Sequence, residues 1–106
     1  MIKRLTQWSP REGMTREEAL RYWREEHAPL LERVPGVTRY VQNHCIPGRD
    51  GAEPPYAGFG EVSFESPAAV QTAMESAEWR AVLTDAATFM DTERISAAWA
   101  DEHAVF

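Results

Sequence analysis

His27 is the residue whose spacing places it best for chemistry. Setting successive helical residues about 100° apart puts Ala19, Leu20, Trp23, His27, Leu30, Leu31 and Val34 within an arc of roughly 120°. Glu17, Arg21, Arg24, Glu25 and Glu32 fall on the opposite side. His27 therefore points inward. Pro29 lacks an N–H and crowds the carbonyl of Glu25, which predicts a break or kink between Glu26 and Pro29. An imidazole there can serve as a general acid or base, since its unperturbed pKa lies near ~6.5. The alternative is a core histidine bonded to a carbonyl that the kink frees. Tyr40, on a β-rich segment, can face the helical layer and point at His27. Its hydroxyl can orient a ligand oxygen or assist protonation; otherwise it is a packed aromatic with a polar rim. Trp23, one turn before His27, can wall an apolar pocket. Glu61, between Gly60 and Val62, is either a surface carboxylate or an inward one that needs a partner such as His27 or Arg39. With His44, on the same strand face as Tyr40, Trp23 and Glu61 are the candidate substrate contacts, and His27 and Tyr40 the candidate catalytic pair.

Other chemistries find little support. His44 and Cys45 are adjacent on a strand and point to opposite faces, so they form no local nucleophile pair. His27, His44 and His103 can meet around a metal only by tertiary coincidence, and no metal or cofactor is expected. No glycine-rich phosphate loop, Walker-type lysine or Gly-x-Ser-x-Gly elbow occurs. The 11 Lys+Arg against 17 Asp+Glu give a net charge of -6, which offers no basic surplus for phosphates. A nucleic-acid partner is therefore not expected. One cysteine excludes an internal disulfide framework. No apolar run approaches a membrane span and no charged-then-apolar leader opens the chain, so a cytoplasmic location is expected.

The elements that must position these residues can be read in order. Ile2 to Ser9 alternates, with Ile2, Arg4, Thr6 and Trp8 on one face, and ends at Ser9-Pro10. Thr15 and Glu18 form a capping box that opens the His27 helix, and Pro35-Gly36 closes it. Val37 to Ile46 is a second strand, with Tyr40, Gln42 and His44 on one face. Pro47 to Pro55 reads as a mobile loop. Ala57 to Phe64 is a third strand in which Gly58 and Gly60 suggest a bulge or close backbone approach. Ser66-Pro67 starts a second helical region. It buries Ala69, Val70, Ala73, Met74 and Ala77, and its second stretch, to about Met90, turns Trp79, Leu83, Ala86, Ala87 and Met90 inward. Ile95 to Phe106 supplies a fourth strand and tail. The order βαββαβ predicts one α+β domain over residues 1–106: a ferredoxin-like sandwich with a four-stranded antiparallel sheet and helices on one face. The far face should carry Trp, Tyr, Leu and Val between polar groups. An apolar face left open predicts a homodimer packed sheet to sheet, with Trp8 and Trp99 among the covered residues.

The combination Tyr22-Trp23-Arg24-Glu25-Glu26-His27-Ala28-Pro29-Leu30, Pro35-Gly36-Val37, Arg39-Tyr40-Val41-Gln42-Asn43-His44 and Gly60-Glu61-Val62-Ser63-Phe64 resembles the EthD family over nearly the whole chain. The late Asp101-Glu102-His103-Ala104-Val105 is similar to that family's end. The resemblance implies a dimeric α/β-barrel and chemistry that needs no metal or organic cofactor, on small oxygenated and often aromatic molecules. Its relatives include lactone methyl-isomerases and fungal polyketide dehydratases or decarboxylases. It implies an acid/base role for His27 with Tyr40 as companion. The methyl-isomerase branch carries a cysteine where this chain has Val62, a departure that speaks against that chemistry.

Together these observations predict a cofactor-independent lyase- or isomerase-type enzyme that moves a proton on a polyketide- or lactone-like metabolite. The alternative is a non-catalytic binding or accessory protein for a hydrophobic metabolite in a degradative or biosynthetic pathway.

Overall fold

A computed structural model describes residues 1–106. Strand β1 (Ile2–Trp8) leads to helix α1 (Arg16–Tyr22), a π-helical turn (Trp23–His27) and helix α2 (Ala28–Glu32). Strands β2 (Val37–His44) and β3 (Gly58–Phe64) follow, then helices α3 (Pro67–Met74) and α4 (Ala77–Ala86) and strand β4 (Ser96–Asp101). The sheet order is β2-β3-β1-β4, and every neighbouring pair is antiparallel. This is the expected ferredoxin-like α+β sandwich. No helix is long and apolar enough to cross a membrane.

Local chemistry explains the element ends. Thr15 Oγ1 accepts from the Glu18 amide at 3.1 Å, and the Glu18 carboxylate accepts from the Thr15 amide at 3.0 Å. Two otherwise orphaned donors are thereby satisfied. Ser66 caps α3 through Ala69 N and Ser76 caps α4 through Trp79 N. Pro29 does not break the first helical run. The run widens into the π turn instead, with the Ala28 amide reaching back to the Trp23 carbonyl. Ala19, Trp23, His27, Leu31 and Val34 are buried as the spacing requires.

The helices cover the face formed by Arg4, Thr6 and Trp8 of β1, Tyr40 and Gln42 of β2, and Gly58, Gly60 and Val62 of β3. The register fixes this, since Arg4 pairs with Val62 and Tyr40 with the same residue. Two apolar clusters form under the helices. One gathers Leu31, Val34, Val62, Phe64, Ala73, Trp79 and Val82. The other gathers Trp8, Ala19, Trp23, Ala57, Phe89 and Met90.

Three expectations are corrected here. The α4 helix stops at Ala86; Trp79, Ala86 and the following Met90 face inward as expected, but Val82 is buried in place of Leu83, and Leu83 and Ala87 are exposed. Trp8 is fully buried beneath the helices and needs no partner chain to cover it. The far face carries Leu5, Val41 and Phe59 between Lys3, Arg39, Asn43 and Glu61, and no Trp or Tyr. The loop before β3 is held by Arg16, which donates to the Tyr56 carbonyl at 2.7 Å and the Pro54 carbonyl at 2.8 Å.

Candidate functional site

The π turn delivers His27 to the seam between the two apolar clusters. There the packing leaves a cavity of about 70 Å³. Its apolar wall draws on both clusters: Trp8, Trp23 and Met90 from one, and Leu31, Val62, Trp79 and Val82 from the other. Arg4, Thr6, His27 and Tyr40 supply its polar groups. Half-exposed Leu83 sits at the rim.

His27 is buried, and its Nδ1–H donates to Asp85 Oδ2 at 2.8 Å. The Tyr22 hydroxyl donates to the other carboxylate oxygen, Oδ1, at 2.6 Å. Asp85 is thus fixed from both sides. Because its carboxylate can only accept, it selects the Nδ1–H tautomer of neutral His27. Nε2 then carries the lone pair, and the ring's one hydrogen bond to the protein is that of Nδ1. Burial lowers the His27 pKa from 6.5, and Asp85 offsets part of that shift. The imidazole is therefore neutral at pH 7. Phe89 packs edge-on against its ring, with centroids 5.0 Å apart.

Tyr40 lines the same cavity. Gln42 Nε2 donates to its hydroxyl at 3.1 Å and to the Trp23 carbonyl at 2.9 Å, so one amide braces the strand residue and the π turn together. Burial pushes the Tyr40 pKa up to about 12. The phenol keeps its proton, and that proton is free to be donated. A neutral base and a neutral hydroxyl donor at one cavity can remove a proton next to a carbonyl and support the oxyanion that forms.

The remaining candidates divide. Trp23 is buried at the cavity wall, where β3 admits it by having glycine: a Cβ on Gly58 would lie 2.6 Å from its ring. His44 stacks on Trp23 at 5.0 Å and donates to Gln42 Oε1 at 3.0 Å, one layer behind the cavity. Glu61 is not brought to His27 at all. It lies on the far face of the sheet, bound by Lys3 Nζ at 2.8 Å and Asn43 Nδ2 at 2.8 Å, and these partners hold its pKa below the usual range. Asp85, Tyr22 and Arg4 escaped sequence reasoning. Asp85 is three residues after the inward Val82, so its signal was present in the helical period once the phase of α4 is right.

Relatives can now be set beside this geometry. A comparison with curated protein sequences gives no match. Among solved structures, an EthD family protein from Bacillus halodurans superposes with a TM-score of 0.82 at 20% identity, covering 97% of this chain and 99% of that one. A dimeric ferredoxin-like protein of unknown function from Bacteroides fragilis gives 0.66 at 12% identity, covering 95% of each chain. SnoaB, a cofactor-independent oxygenase from Streptomyces nogalater, gives 0.68 at 10% identity, covering 98% of this chain and 94% of that one. At these identities the likeness is one of fold. The EthD domain profile, however, matches residues 11–93, a span that includes both the His27 helix and Asp85, and this chain therefore belongs to the EthD family.

Proposed function

We propose that this protein is a cofactor-independent enzyme of the lyase or isomerase type that moves a proton on a small oxygenated or aromatic metabolite, and that it works as a homodimer joined through the open sheet face. One observation carries the reading: the Asp85–His27 pair at 2.8 Å leaves a neutral imidazole nitrogen unpartnered at a cavity. In this reading Nε2 of His27 takes a proton from carbon next to a carbonyl. Asp85 stabilises the imidazolium that results. The Tyr40 hydroxyl donates to the developing enolate oxygen. The proton then returns at a new position, or a β-hydroxyl leaves as water with the proton that His27 took. Trp23 and Trp79 supply the apolar walls that take one edge of an aromatic body, the rest of which extends past half-exposed Leu83.

A purely binding role would fit a wholly apolar cavity with His27 bonded to backbone. Here His27 bonds to a carboxylate and polar groups converge. The test is turnover of an anthrone and lactone panel by wild type and His27→Gln, with oxygen uptake followed in parallel because dioxygen can capture a carbanion. The expected loss in His27→Gln is about 10²-fold or more. Equal rates in a folded variant would overturn the base assignment.

A further inference from the structure

Arg4 is the one cation of the cavity wall, and no carboxylate pairs with it. Its Nη1 donates to Thr6 Oγ1 at 3.0 Å, and its guanidinium carbon lies 5.1 Å from the centre of the Trp79 ring. The other cations drawn into the structure are compensated. Lys3 has Glu61 at 2.8 Å and Glu102 at 2.7 Å, and Arg16 has Glu53 at 3.2 Å beside its carbonyl partners. In a chain with 17 Asp+Glu against 11 Lys+Arg, an inward arginine without an acid needs a reason. Taking a charge out of water is costly unless a counter-charge meets it.

The rest of the polar wall has the same bias. Thr6 Oγ1 accepts from Arg4, which leaves its own proton to give. Tyr40 accepts from Gln42 and likewise has its proton to give. Asp85 is occupied by His27 and Tyr22. His27 Nε2 is the lone acceptor that remains. The cavity therefore offers a cation and hydroxyl donors on an aromatic and aliphatic lining. Burial lowers the guanidinium pKa from 12.5, but the group stays charged at neutral pH.

We infer that the cavity takes an apolar molecule bearing a carboxylate or an equivalent oxyanion, anchored by the guanidinium of Arg4. The inference rests on the reading of this cavity as the substrate site and adds the class of substrate. A carboxylate on Arg4 supplies the missing counter-charge, and the guanidinium fork matches it geometrically. The apolar body then lies against Trp79 and Trp23, with its reacting carbon toward His27.

Binding tests this without turnover. Benzoate and benzamide, matched in shape and different in charge, are titrated into the full chain and followed by tryptophan fluorescence and calorimetry. Wild type is expected to bind benzoate at least about tenfold more tightly than benzamide, the gain of one charge-assisted contact. Arg4→Gln should lose about tenfold for benzoate and change benzamide by less than about twofold. Arg4→Lys keeps the charge and should keep a benzoate preference. Equal binding of the two by wild type overturns the inference, as does no binding of either at millimolar concentration or a preference that survives Arg4→Gln. The wild-type comparison and Arg4→Lys decide the matter if Arg4→Gln does not fold. His27→Gln should keep the benzoate preference. A preserved preference together with unchanged turnover in His27→Gln would remove the base role and leave the anion site standing.

Discussion

Asp85 acts on His27 in two ways: it holds the tautomer and it favours the charged form. Asp85→Asn separates them. The amide keeps an oxygen for the Tyr22 hydroxyl but can present N–H to His27 Nδ1, and the imidazole proton then moves to Nε2. The base is lost although its position is not. The expected result is a fall in kcat of about 10²-fold or more with the fold retained. The His27 pKa, followed by NMR, should fall further, because Asp85 is the group that raises it. An unchanged kcat would reject the positioning role. The lowered His27 pKa also sets a pH dependence. Between its folded value and 6.5 the unfolded chain binds the proton and the folded chain does not. Stability is therefore full above 6.5 and declines as pH falls through that window. In denaturant titrations across this range, His27→Gln should show a shallower decline than wild type. Parallel curves would mean that His27 is not buried as a neutral ring. His27, Trp23 and Tyr40 were legible beforehand because periods of 3.6 and 2 say which face each occupies. Arg4 was placed on the correct strand face, but alternation does not say whether an acid waits opposite it. Glu61 sits within an alternating strand too, and only its register opposite Leu5 and Val41, with Lys3 and Asn43 as hydrogen-bond partners, shows that it belongs to the far face.

At the scale of elements, the first helical run and β3 are fitted to one another. A Cβ on Gly58 would meet Trp23 Cζ3 at 2.6 Å and the Asn43 carbonyl at 2.8 Å, so both the indole and the backbone pairing of β2 with β3 must give. The same atom on Gly60 would meet Trp23 Cζ2 at 3.4 Å, which is tight but near contact distance. Gly58→Ala is therefore expected to destabilise by about 1–3 kcal/mol, and Gly60→Ala by clearly less. Thermal unfolding of the two variants checks the order; equal losses would show that Trp23 is not wedged against β3. Close backbone approach at these glycines was one of two sequence expectations. The other, a bulge, occurs instead near Val37 and Arg39. The Thr15–Glu18 capping box and strand alternation were legible because they are local. The π turn was not. Pro29 removes a donor and adds a ring, which predicts a break, but tertiary contacts decide how the helix responds. Here the Trp23 carbonyl receives both the Ala28 amide and the Gln42 side chain, and the run continues. The choice of Leu83 over Val82 in α4 failed for a similar reason. Leu83 and Val82 are equally apolar, and only packing on the sheet chooses between them.

For the whole molecule, the proposed homodimer rests on the open face of the sheet. Leu5 and Phe59 remain 37% and 39% exposed there, and Val41 is half-buried. Lys3 is nearly sequestered among Glu61 and Glu102, and Arg39 on the same face also lowers the pKa of both carboxylates, so two cations meet two acids within one chain. A face of this kind can be covered at a reduced electrostatic cost, because its two cations sit beside two carboxylates. A Bacteroides fragilis protein of the same fold is dimeric. Sedimentation is expected to give twice the 12.0 kDa of one chain at micromolar concentration. Phe59→Glu removes the largest apolar group of the face and adds a carboxylate two residues from Glu61, on the same side of β3. It should shift the protein to the monomer mass while circular dichroism stays unchanged. The His27–Asp85 pair and the cavity belong to a single chain, beneath the opposite face. The monomeric variant should therefore keep the His27 pKa of the wild type and lose thermal stability. A wild-type monomer at micromolar concentration would sink the sheet-to-sheet dimer. A Phe59→Glu dimer with unaltered affinity would move the interface to another surface.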